Sequence, residues 1–192
     1  PLISTYLTVL KNDGFPHEMY KWEAINHFQE HWNIEAENFE EMFLEAFRKK
    51  ENLMYQNSWG FIRKAAAHFP EKVREMFRIL YDENLSVDDR IAAFQDKADQ
   101  ILPELKKAVG KENFNPQQDE RTISVYLVFR FPENYFLYKN SLYTLLGDSL
   151  GVKTAPTGER FIHYSQLAEK IKENHISNNS DLQKAHAAVC PK

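Results

Sequence analysis

The chain has 192 residues, 43% of them hydrophobic, 14% aromatic and 27% charged, with a net charge of −4. That length buries a real core in one large domain or two small ones, and the composition excludes a disordered chain. The acidic balance, with an isoelectric point near 6.0, argues against a protein that coats nucleic acid nonspecifically, since such domains are strongly basic.

Periodicity predicts helices through the first two-thirds. From His17 to Trp32 the apolar positions Met19, Trp22, Ile25, Phe28 and Trp32 recur every three or four residues, giving one apolar stripe. Phe39, Met42, Phe43, Ala46 and Phe47 repeat the pattern, and a short third helix spans Trp59 to Phe69. Pro70 fits the first position of a fourth, where its missing N–H costs nothing; Val73, Phe77, Leu80 and Tyr81 line its inner face. Ser86-Val87-Asp88-Asp89 resembles a capping box with aspartate in place of glutamate. It opens a helix through Ile91, Phe94, Ala98, Ile101 and Leu102, which Pro103 should kink or restart and Gly110 should end.

The polar stretch Lys111–Glu120 contains Asn-Pro and is the best domain boundary in the chain. Thr122–Phe131 (TISVYLVFRF) is rich in β-branched and aromatic residues and reads as a strand by composition, with a buried helix as the competing reading. A helix follows over Leu142–Leu150, ended by Gly151, and VKTAPTGE is a loop. Phe161, Ile162, Tyr164, Leu167, Ala168 and Ile171 form another amphipathic helix, and Ser180 or Asn179 caps a last one from Asp181. The expected fold is mainly α, with at most one short strand. An acidic helical bundle covers residues 1–112, and a smaller, aromatic-rich, slightly basic helical subdomain covers residues 119–192, the two forming separate units or one continuous domain.

Charge divides the chain at the same place. Residues 1–120 carry 15 basic and 22 acidic side chains, whereas residues 121–192 carry 9 and 6. The second part opens with a run in which Arg121, Arg130 and Lys139 interleave with Tyr135, Phe136 and Tyr138. Cations among rings can stack on bases while neutralising phosphates. The competing reading is that most of these rings are core, because Val125, Leu127 and Phe129 alternate with Tyr126, Val128 and Arg130 and one set must be buried.

Other motifs are weaker. His27-Phe28-Gln29-Glu30-His31 matches H-x-x-E-H, the inverted zinc-protease pattern, in which His27 and His31 would ligate zinc and Glu30 would act as the base. Two histidines on an amphipathic helix produce this match by chance, so no metal or cofactor is the leading expectation and a zinc hydrolase the lesser one. Cys190 and His186 are four residues apart, a spacing that nothing else supports as a catalytic pair. No P-loop sequence occurs. Glu40-Glu41 and Asp88-Asp89 diverge by ~100° on a helix and read as solvated faces. Arg48-Lys49-Lys50 sits at a predicted helix end, where positive charge opposes the helix dipole. The single cysteine, Cys190, allows no internal disulfide and points to a reducing, cytoplasmic setting. No apolar run approaches the ~20 residues that span a bilayer, so no membrane is expected. The first residues, PLISTYLTVLKND, lack the marks of a signal peptide. The chain begins at proline and stops at Val189-Cys190-Pro191-Lys192, and a piece of a longer protein is expected.

Three segments in order carry a family resemblance: Phe69–Glu83 (FPEKVREMFRILYDE), Val87–Phe94 (VDDRIAAF), and Asp119–Leu127 (DERTISVYL) running on to Phe131-Pro132-Glu133-Asn134-Tyr135 and Tyr138-Lys139. Together they resemble the N-terminal region of McrB-like AAA+ proteins, the motor subunits of McrBC-type modification-dependent restriction systems. The resemblance spans most of residues 20–175. It implies a non-catalytic module that recognises target DNA, with hydrolysis left to a motor and cutting to a partner nuclease. Under it the DNA contacts are expected from Arg121, Arg130, Tyr138, Lys139 and Lys153. A module that docks a partner subunit is the alternative.

Overall fold

A computed structural model describes residues 2–13 and 18–189, which form ten α-helices and no strand. They are α1 (Leu2–Asp13), α2 (Met19–His31), α3 (Phe39–Ala46), α4 (Gln56–His68), α5 (Pro70–Leu80), α6 (Val87–Val109), α7 (Glu120–Arg130), α8 (Asn140–Leu150), α9 (Arg160–Ile171) and α10 (Ser180–Val189). A 3-10 turn at Glu51–Leu53 precedes α4, and a π-helical turn at Lys172–Ile176 extends α9. His17, at the start of the first predicted stripe, and Cys190 lie outside the described residues.

The mainly α expectation holds. Ser86 accepts the Asp89 N–H at 3.1 Å and opens α6, and Gly110 closes it at φ 65, the left-handed conformation that glycine adopts without steric cost. Asn179, rather than Ser180, caps α10 by accepting the Leu182 N–H at 3.1 Å. Pro103 does not restart α6, which runs as one helix to Val109. The missing N–H and ring clash cost about 3 kcal/mol in a helix interior, a penalty offset here by burial of Phe94, Ala98, Ile101 and Leu105 on either side. Trp22 does not join the stripe of its helix: it is 44% exposed, while Ala24, Ile25, His27 and Phe28 take the inner face.

The strand expected at 122–131 is a helix, α7. Asp119 caps it by accepting the Thr122 N–H at 2.9 Å, and every residue from Thr122 to Phe129 is buried. An all-round apolar sequence satisfies a helix enclosed on every side. Phe129 packs on Phe28 of α2 and stacks on Phe47 (centroids 5.5 and 5.7 Å), and Tyr126 meets Phe77 of α5 and Phe94 of α6 (5.0 and 5.6 Å). The Tyr126 hydroxyl donates to Gln118 at 2.8 Å, so its burial leaves no polar atom unmet. The polar segment expected as a boundary is fastened to the bundle: Ser58 donates to the Gln117 carbonyl at 2.7 Å and Gln95 to the Gln118 carbonyl at 2.9 Å. One buried cluster runs from Ala24 to Leu167 and includes the rings of α7.

Candidate anion-binding site

The beginnings of four helices line one groove of about 380 Å³. Tyr55 precedes α4, Asp119 and Arg121 flank the start of α7, Lys139 and Asn140 begin α8, and Arg160 opens α9. Each helix start carries partial positive charge, and two of the four, those of α4 and α8, have no side-chain cap, so their N–H groups are open to an anion. The start of α8 has no side-chain cap; its first hydrogen bonds run from Leu142 and Tyr143 back to the Lys139 carbonyl.

Three cations, Arg121, Lys139 and Arg160, face two carboxylates here. Both carboxylates are engaged in the fold. Asp119 caps α7, and Glu120 accepts the Phe161 N–H at 2.9 Å and the Gly158 N–H at 3.3 Å, capping α9 from a neighbouring helix. The Arg121 guanidinium lies over the Tyr55 ring, 4.1 Å from its centroid. Arg160 donates to Asn140 at 3.1 Å and to the Ala155 carbonyl at 3.2 Å. Lys139 is exposed. Tyr138 is buried beneath the groove, its hydroxyl donating to Asn140 at 3.1 Å. Burial first, and the Glu120 charge second, push the Tyr138 phenol up to about 12, so it keeps its proton at neutral pH.

Of the residues named from sequence, the fold brings Arg121, Tyr138 and Lys139 together and leaves Arg130 and Lys153 elsewhere. Arg130 is exposed at the far end of α7, about 13 Å along the axis from Arg121 at 1.5 Å per residue. Its guanidinium sits over Phe131. Lys153 is exposed in the loop after α8. Tyr55, Asn140 and Arg160 were missed, because each is unremarkable in its own segment and only the meeting of helix ends unites them. Most rings of the aromatic run are core: Tyr126, Phe129, Tyr138 and Tyr143 are buried, and Phe131, Tyr135 and Phe136 are half-buried.

The histidine pair is packed against α3. His27 is 5% exposed and its Nε2–H donates to the Glu45 carbonyl at 2.9 Å, while His31 Nδ1–H donates to the His27 carbonyl at 2.8 Å. Glu30 is exposed on the same turn. In the basic cluster at the end of α3, Arg48 pairs with Glu45 at 3.0 Å and Lys50 lies over the Trp59 ring at 4.5 Å. His186 pairs with Tyr6 at 2.8 Å. Among the described residues no helix is long and apolar enough to cross a membrane. Compared with known proteins, the chain matches no family profile, no curated protein and no solved structure.

Proposed function

We propose that this chain is a non-catalytic recognition module that binds DNA through its phosphates. Its setting would be a McrB-like restriction or defence AAA+ protein, in which a motor and a partner nuclease do the chemistry. The observation that supports it is the groove at the four helix starts, where Arg121, Lys139 and Arg160 stand around uncapped backbone donors. Phosphate is the natural occupant of such a place. The half-exposed Tyr55 adds a stacking face, and the buried Tyr138 supports the groove from below by holding Asn140.

A salt-titrated binding assay with duplex and single-stranded DNA tests this. Replacing Arg121 and Lys139 together with alanine should weaken binding and reduce the slope of log K against log salt by about 2, close to one per lost phosphate contact. Replacing Arg130 and Lys153 together should change little. Unchanged affinity in the first variant, or equal losses in both, would overturn the assignment.

A second reading, docking of a partner subunit, is favoured by α8, which leaves Leu142, Leu145 and Leu150 exposed at 51, 63 and 47%. Co-purification of a partner that is lost on Leu145→Asp, with no DNA binding at low salt, would select it.

A further inference from the structure

We propose that the junction of α2 and α3 is a coordination site for a divalent transition-metal ion of the zinc or cobalt class, with His27, His31 and Glu45 as its protein ligands. The histidines alone are a weak sign, since any helix can carry two at this spacing. What strengthens the case is Glu45, which reaches in from a different helix. Its Oε1 lies 3.3 Å from His27 Nε2 and 3.7 Å from His31 Nε2. Bonds of 2.0–2.2 Å at the tetrahedral angle hold ligand atoms about 3.4 Å apart, so the two spacings to Glu45 approximate two edges of a zinc tetrahedron. Two imidazoles and one carboxylate also suit that class of ion better than magnesium or calcium, which prefer all-oxygen shells.

The surroundings prepare the same three atoms. The His31 Nδ1–H bond to the His27 carbonyl at 2.8 Å fixes the tautomer that leaves His31 Nε2 with its lone pair. Arg48 Nε donates to Glu45 Oε1 at 3.0 Å and holds the carboxylate in place, the role an outer partner plays at metal sites. His27 Nε2–H now donates to the Glu45 carbonyl at 2.9 Å; coordination through Nε2 needs the other tautomer, with the proton on Nδ1, and the carbonyl either turns aside or joins the shell. Glu30, whose ligand oxygen lies within 4.8 Å of the ligand nitrogens of both histidines, or a water completes the shell. Because the ligands come from two helices, the ion would pin α2 to α3.

His31 and Glu45 have side chains 36 and 40% exposed, so they can be replaced without opening the core. The metal-stripped full chain is titrated with Co2+ and with Zn2+, following the visible absorption of tetrahedral Co2+ and the heat of Zn2+ binding. The expected result is one equivalent bound at micromolar concentration or tighter. Affinity should fall at least tenfold in Glu45→Gln and more in His31→Ala, with circular dichroism unchanged. Absence of saturable binding at micromolar metal, or equal affinity in the variants, overturns the site.

Discussion

Glu120 ties two helices with one side chain: it stands in the first turn of α7, and both of its oxygens are taken up by N–H groups at the start of α9. Removing it leaves those donors unpaired and takes a negative charge from a helix start. Glu120→Ala should therefore lower stability by about 1–2 kcal/mol, as cap losses do, and Glu120→Gln by less, measured by urea unfolding. Tyr138 gives a pH signature at the same place. Its folded-state pKa, about 12, lies above the ordinary tyrosine value of 10.0, so the folded state holds the proton longer. Its contribution is complete below pH 10 and is lost as pH rises from 10 to 12. Tyr81 and Tyr126, raised by burial, act in the same direction. Unfolding midpoints at about pH 9 and 11 should fall less in Tyr138→Phe than in the parent; an equal fall would remove Tyr138 as a cause. Arg121, Tyr138 and Lys139 were legible one by one, because charge and aromaticity are properties of the residue. Glu45, which faces the two histidines, was not, since its importance exists only once α3 lies against α2.

At the scale of elements, Gly147 shows how tightly α8 is seated. A Cβ there would stand 2.9 Å from the Val152 carbonyl oxygen, a backbone atom that cannot swing aside. Nearby, Tyr143 accepts the Ala155 N–H and pairs with His163, both at 2.6 Å, so the loop after α8 is held between α8 and α9. Gly147→Ala, which should favour an isolated helix, is expected to destabilise this protein by about 1–3 kcal/mol through overpacking, read from thermal unfolding. Helices with a polar face were legible: α5 and α6 begin where Pro70 and Ser86 place them. The misreading of α7 has a physical source. Its β-branched and aromatic residues carry a strand preference that is really a preference for a packed surface, and here the packed surface surrounds a helix. The same limit hid α1, whose short apolar pattern was read only against a signal peptide.

At the scale of the molecule, α7 lies at the centre, and the two charge regions of the sequence share its core. The acidic and basic halves therefore need not be separate bodies for their surfaces to differ. The four helix starts at the groove belong to segments far apart along the chain, beginning near residues 55, 119, 139 and 160. An anion seated in the groove would lie against residues of all four segments, like the keystone of an arch. Such a ligand cannot loosen one helix without loosening the rest, so occupancy should be felt as resistance of the entire fold to heat. Short duplex DNA at a hundred times its dissociation constant would add about 2.7 kcal/mol, raising the melting temperature of the parent but not of the Arg121→Ala, Lys139→Ala double variant.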